Sequence, residues 1–336
     1  MKPKVLSGIS VLIVTLLIVG AIFVPAVSAN ENSPGGTNSP CGDPVSRSVE
    51  LERSPFLFDD GGDRLSDKEI SQMIEEMPKI TYLDGMNENR SKELSEGLTR
   101  LHKYRSVRVG GSLEVSSQST SLQADSGIRI DEHHYQGING YNHPGNLEVS
   151  SSGTALHYLT SHIGKELNGV PTWIEVGVAK NSEAFGGDPS EYTVFTYDST
   201  VPENERYIVH QTFTSGSADY FFEIYISTVQ AAEGYPYMLL WQGEVIRTGH
   251  VPFCFGDVDE NHEFFALNGN TFTPVSEAYF WDSYLTTSYS PITLWWNNNL
   301  QDSTVSHLVG CSAGAPELEY SIPWWSKAYR VRSWIA

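Results

Sequence analysis

The sequence predicts an all-β protein, a sandwich of two antiparallel sheets, preceded by a short helical N-terminal region. Three observations predict it. After about Ile128, short stretches rich in aromatic and β-branched residues recur between Gly, Pro and Asn turns, as antiparallel strands do. No long amphipathic helix interrupts them. All eight tryptophans, from Trp173 to Trp334, lie in this half of the chain.

Taken in order, residues 1–29 read as a targeting segment. Lys2 and Lys4 precede the almost wholly apolar run Val11 to Val24, and Val27-Ser28-Ala29 supplies small residues for cleavage. The rival is an uncleaved membrane anchor, since the uncharged run from Val5 to Ala29 is long enough to span a bilayer. Either way the expected location is outside the cytoplasm. Residues 30 to about 62 are polar with Pro and Gly clusters, and read as flexible. Two helices follow. Ser66 with Glu69 forms a capping box and Leu65 with Ile70 a hydrophobic staple, ahead of the stripe Ile70, Met73, Ile74 and Met77, which Pro78 ends. The second runs roughly from Glu88 to Tyr104, with Leu94, Leu98 and Leu101 on one face. The Ser- and Gln-rich stretch from Ser106 to Gly127 reads as a linker. The expected organisation is a leader (1–29), a flexible and helical region that fits a propeptide or docking arm (30–127), and the β-sandwich (128–336).

Within that last part the expected strands are Ala155–Ile163, Thr172–Ala179, Tyr192–Tyr197, Arg206–Thr214, Tyr220–Ile226, Tyr237–Trp241, Glu244–Thr248, Glu263–Leu267, Glu277–Leu285 and Thr304–Val309. Gln242-Gly243 is a two-residue hairpin turn.

The chain of 336 residues carries 41 acidic against 21 basic residues, a formal net charge of −20. Such a charge argues against nucleic acid and anionic membranes as partners. Of the three cysteines, Cys254 and Cys311 are a candidate pair in an oxidising compartment, with Cys41 left over in a Ser/Pro/Gly-rich tail.

Most motifs fail on inspection. Gly310-Cys311-Ser312-Ala313-Gly314 has the nucleophile-elbow spacing, but Pro316 stands where a helix is needed and no histidine follows His307. Asp257, Asp259, Asn261 and Glu263 resemble the start of a calcium loop, yet His262 takes the glycine position and Asn268 that of the closing glutamate, so a solvated acidic loop is expected. Asp131-Glu132-His133-His134 is also expected to be a loop, and His157 and His162 have no evident partner ligands. No metal or other cofactor is implied.

The candidate chemistry rests on glutamates. On the expected strand at residues 172–179, Trp173, Glu175 and Gly177 share one face, while Ile174, Val176 and Val178 share the core face. A carboxylate at mid-strand with no nearby lysine or arginine in sequence is costly to bury, unless it faces solvent or works. Glu244 and Glu263 are its candidate partners. Two carboxyls whose environments separate their pKa values can activate water and protonate a leaving group. The alternative is a non-catalytic extracellular module presenting Trp241, Trp281 or Trp295 to a carbohydrate.

Trp173-Ile174-Glu175-Val176-Gly177 resembles the strand that carries the first catalytic glutamate of the neprosin family of secreted glutamic peptidases. Trp241-Gln242-Gly243-Glu244-Val245 resembles that family's second motif. The related eqolisin-type peptidases share a jelly-roll or concanavalin-like sandwich but pair a glutamine with a glutamate. The resemblance covers roughly residues 130 to 285, through two short motifs. It implies a secreted endopeptidase acting on polypeptides, with Glu175 and a second glutamate as catalytic residues and Trp173 and Trp241 beside the substrate. In more distant sandwich relatives the second acid matches a later strand, here Glu263 in place of Glu244.

Overall fold

In a computed structural model, the described residues are 56–57, 63–103, 105, 107–109, 112–114, 121–146, 149, 155–183, 186–267, 275–286, 293–294, 302–309, 316–321 and 330–335. The expected leader and the Gly-Cys-Ser motif lie outside them.

In chain order the elements are α1 (Asp67–Glu76), α2 (Glu88–His102), β1 (Val107–Val109), β2 (Ser112–Glu114), β3 (Ser121–Tyr135), β4 (Gly137–His143), β5 (Ala155–Leu167), β6 (Val170–Asn181), β7 (Tyr192–Asp198), the one-turn α3 (Glu203–Arg206), β8 (Tyr207–Phe213), β9 (Tyr220–Ile226), β10 (Tyr235–Trp241), β11 (Glu244–Val251), β12 (Gly256–Leu267), β13 (Val275–Thr286), β14 (Thr293–Leu294), β15 (Asp302–Val309), β16 (Pro316–Ser321) and β17 (Arg330–Ile335). One sheet runs β15-β3-β12-β5-β6-β7-β8, and the other β11-β10-β9-β4-β13-β17-β16 with β14 on β13. Every pairing is antiparallel. The expected two-sheet sandwich is the observed architecture.

Alternation builds the core. Ile174, Val176 and Val178 of β6 point between the sheets and meet Ile224, Leu239 and Trp241 of the opposite sheet. Gln242 and Gly243 carry φ of 53° and 82°, the left-handed pair that a two-residue hairpin requires, and they join β10 to β11. Cys254 is disulfide-bonded; Cys311, the partner expected for it, and Cys41 both lie outside the described residues.

Three expectations are corrected. The Ser106–Gly127 linker is in part a strand: β3 begins at Ser121 and is paired on both sides, with β12 and β15. Backbone pairing places it centrally although its composition is polar. Asp131–His134 is likewise strand rather than loop. The acidic loop at 257–263 is strand β12, with Asp257, Asp259, Asn261 and Glu263 all buried. Their alternate spacing is the period of a strand face, not of a cation loop.

The N-terminal helices form an arm laid across both outer faces. The capping box on α1 is present, Ser66 and Glu69 exchanging backbone and side-chain hydrogen bonds. Ile70 and Ile74 pack on Tyr225, Met238 and Leu240, the outward side of β9 and β10. The chain then crosses the sandwich edge. Thr81 N–H donates to the Ile246 carbonyl of edge strand β11 at 2.9 Å, and Leu83 N–H to the His210 carbonyl of edge strand β8 at 2.8 Å. Asn87 caps α2 by accepting from Arg90 N–H at 3.1 Å. Leu94, Leu98 and Leu101 then bury against Trp173, Phe195, Tyr197, Tyr207 and Val209 on the outer face of the seven-stranded sheet. Burying a leucine contributes about 1.5–3 kcal/mol, so these three side chains supply part of the hold on α2.

Candidate active site

Glu175 stands on the face that α2 covers. Direct pairings place the side chains in rows across the sheet. One row runs Asp259, His162, Glu175, Tyr197, and Tyr207 follows on β8. The next runs Asn261, Thr160, Gly177, Phe195, and the third Glu263, Tyr158, Ala179. Glu175 and Glu263 therefore lie on strands separated only by β5 and offset along them.

Between them lies Arg105, three residues past the end of α2. Its Nη1 and Nη2 donate to Glu175 Oε2 and Oε1 at 2.9 and 2.8 Å. Its Nε and Nη2 donate to Glu263 Oε2 and Oε1 at 2.6 Å each. One planar guanidinium thus bridges two carboxylates bidentately, a geometry lysine cannot supply. Nη1 also donates to the Tyr207 hydroxyl at 3.2 Å, and the cation lies 4.8 Å from the centre of the Tyr158 ring. Arg105, Glu175 and Glu263 are 5%, 0% and 3% exposed.

The two carboxyls are held unequally. Glu175 also accepts from the Thr160 hydroxyl at 2.5 Å and from Trp173 Nε1 at 3.2 Å. Gly177 permits the first of these, since a Cβ there would fall 2.9 Å from that of Thr160. Burial pushes Glu175 toward the protonated form, but the charge and hydrogen bonds of Arg105, then His162 and Thr160, hold its pKa below the usual carboxylate value. Burial dominates at Glu263 and raises its pKa, with Arg105 offsetting only part and the negative charge of Glu175 adding to the rise. With one cation for two carboxyls, the pair divides into a more acidic and a less acidic member. His102 of α2 stacks on Tyr197 at 5.0 Å, its Nδ1 3.1 Å from the Tyr207 hydroxyl. Burial and then the neighbouring Arg105 push its pKa down to about 3.

Of the sequence candidates, Glu175, Glu263 and Trp173 come together here. Glu244 does not: it is exposed at the tip of the β10–β11 hairpin, on the other sheet. Trp241 is wholly buried between the sheets and stacks on Tyr220 at 5.3 Å, so it cannot reach a ligand on the outer face of the seven-stranded sheet. Arg105, Thr160 and His162 were not singled out as site residues. The spacing signal for the last two was present, because β5 pairs with β6 and every second residue of Tyr158–His162 shares the face of Glu175. For Arg105 there was none. Among the described residues no group of three or more His, Cys, Asp or Glu is placed to hold a metal ion.

No protein-family model matches the chain, and no curated protein does. Among solved structures it is similar to scytalido-glutamic peptidase with a transition-state analog inhibitor, at 9% identity and a TM-score of 0.40, over 65% of this chain and 100% of that one. SCP-B, a member of the eqolisin family of peptidases in complex with the tripeptide Ala-Ile-His, gives 11% and 0.33 over 65% and 100%. The Bacillus licheniformis β-glucanase gives 12% and 0.27 over 45% and 64%. Peptidases and a glucanase thus stand side by side at scores that carry no chemistry. The resemblance to neprosin rests on two short motifs, and the second of them lies on the other sheet from Glu175.

Proposed function

We propose that the chain is a secreted glutamic-type endopeptidase in a latent form, with Glu175 and Glu263 as its carboxyl pair and the arm as its intramolecular inhibitor. The observation that carries this reading is the buried pair itself, two glutamates on one sheet face bridged by an arginine from outside the sandwich. In a fold held together by its core, two such carboxylates are a cost, because buried ion pairs at best break even against apolar packing. Under a cover that lifts, they become a site.

With Arg105 withdrawn, the cleft beneath α2 is floored by Trp173, Tyr197, Tyr207 and Tyr158, and an extended polypeptide takes the place of the helix. Glu175, kept ionised by Thr160 and Trp173, accepts a proton from water as the oxygen attacks the peptide carbonyl. Glu263, the less acidic member, carries a proton and donates it toward the developing oxyanion and then the departing amine. Both states coexist in acid, so activity is expected below neutral pH.

The test is digestion of an unfolded protein substrate by the full chain from pH 3 to 7, beside Glu175→Gln and Glu263→Gln, with products mapped by mass spectrometry. Acid-favoured cleavage lost in both variants is the expected result. Full activity in Glu175→Gln, or no cleavage at any pH even in Arg105→Gln, overturns the reading.

One observation favours a carbohydrate-binding module instead. On the outer face of the eight-stranded sheet, half-buried Trp281 stacks on Tyr141 at 4.7 Å, and Tyr141 meets Phe221 edge-on at 5.7 Å. Glycan-array binding that Trp281→Ala abolishes, without any proteolysis, would establish that reading.

A further inference from the structure

When Arg105 leaves, the cleft holds at least two carboxyls and has lost its bridging cation. The side chain directly opposite Glu175 on β5 is His162, and directly opposite His162 on β12 is Asp259. Residues directly opposite in an antiparallel pair face the same side with Cβ atoms about 4.5–5.5 Å apart. His162 Nε2 lies 3.8 Å from Asp259 Oδ2, and both residues are buried, at 2% and 5% exposed. The row is carboxyl, imidazole, carboxyl.

We infer that His162, oriented by Asp259, is a positioning residue that takes over from Arg105: in the open cleft its imidazolium balances Glu175 and keeps that carboxyl ionised. The inference rests on the reading of Glu175 as the ionised member of the pair. An imidazole is ordinarily charged in acid, where that chemistry is expected to run. Among the described side chains, the charged and titratable ones around Glu175 and His162 are Arg105 and His102 from the arm, Asp257, Asp259 and Glu263 on β12, Tyr158 on β5, Tyr197 on β7 and Tyr207 on β8; further along the same row, Arg129 of β3 holds the register position opposite Asp259. His102 is held neutral by burial and then by Arg105, and it departs with α2. Of the described side chains in this set, His162 is then the cation that stays on the sheet. The charge of His162 already contributes to lowering Glu175 in the closed form. It is a positioning residue rather than a catalytic one, because it acts through Glu175 and not on the substrate.

The test uses the full chain in an Arg105→Gln background, with labelled glutamate carboxyls followed by NMR titration. Adding His162→Gln should move the Glu175 midpoint up by about one pH unit or more, the size of a lost opposite charge at 4–6 Å. His162→Lys should restore the low midpoint, and Asp259→Asn should give a smaller upward shift. An unmoved midpoint in His162→Gln overturns the inference. If that variant does not fold, the ring nitrogens of His162 in Arg105→Gln alone decide it. Both must be protonated at the pH where Glu175 is ionised, and a neutral ring there refutes the proposal. The peptidase reading fails separately: a moved midpoint without any proteolysis leaves the charge handover standing and removes the enzyme. Proteolysis with an unmoved midpoint does the reverse.

Discussion

One arm covers both outer faces of the sandwich, and the two coverings are made differently. Under α1 the sheet offers Tyr225, Met238 and Leu240, and the helix answers with Ile70 and Ile74. Under α2 the leucines again meet an aromatic floor, but beside them two buried carboxyls depend on one guanidinium at the end of the helix. Apolar burial is insensitive to pH and has no single point of failure. A buried triad has one, since removing the shared cation leaves two charges stranded. On the proposed function, this difference makes α1 the anchor and α2 the cover that lifts.

The largest effect should follow from Arg105→Gln. Breaking a buried ion pair by removing one partner costs about 3–5 kcal/mol, and here the arm opens to rehydrate the carboxyls instead of the sandwich unfolding. Amide exchange in α2 should accelerate about 100-fold or more while exchange in α1 stays near its wild-type rate. Equal acceleration in both helices would make the arm one cooperative unit and erase the distinction.

Acidification should separate the faces next. His102 titrates near pH 3 in the closed form against an ordinary value of 6.5, so the open form binds the extra proton between those limits. Closure of α2 is therefore fully stable above pH 6.5 and weakens as pH falls toward 3. Below about pH 4.5, an ordinary carboxyl pKa, the lowered Glu175 acts in the same direction as His102, whereas the raised Glu263 takes up its proton in the closed form above that pH and there favours closure. Between 6.5 and 4.5 the histidines drive opening against Glu263, His210 contributing at the edge crossing, where burial also lowers it to about 3 and its Nδ1 lies 2.7 Å from the Thr81 carbonyl oxygen. The opening constant of α2, taken from exchange corrected for the intrinsic rate at each pH from 7 to 5, should rise in the wild type and rise less in His102→Gln. A flat wild-type profile would remove the acid-opening mechanism.

How much of this was legible in the sequence follows the range of each interaction. Both helices and the cap of the first were readable, because Ser66, Glu69 and the leucine stripe act within one or two turns. β9 was placed to the residue because Tyr220–Ile226 is aromatic and β-branched throughout. β3 was missed because a central strand is defined by neighbours on both sides, and its own Ser, Gln and Gly content gives no local sign of them. The acidic series on β12 was visible as a pattern and assigned to a loop, since local reading prices four buried polar side chains as prohibitive without knowing what covers them. Glu175 was singled out on that same cost argument. Its partner was not, because Glu244 and Glu263 differ only in which sheet they join. Arg105 carried no signal at all, since its role exists only across the 70 and 158 residues that separate it from the two glutamates.

The smallest effect tests the anchor. Ser66→Ala removes a cap whose hydroxyl accepts from Glu69 N–H at 3.3 Å and donates to the Glu69 carboxylate at 2.6 Å. The site is exposed, and such caps contribute about 0.5–2 kcal/mol. The loss falls on a helix that Ile70 and Ile74 still bury, with Asp67 accepting from the Thr228 hydroxyl and Glu75 against His250, so α1 should fray at its first turn without lifting. Urea denaturation should show a decrease of about 1 kcal/mol. Exchange in α2, the pH at which it opens and any proteolysis should all stay at wild-type values. If this distant cap shifts the opening of α2, the edge crossing at Thr81 and Leu83 transmits strain between the faces, and anchor and cover are then one device rather than two.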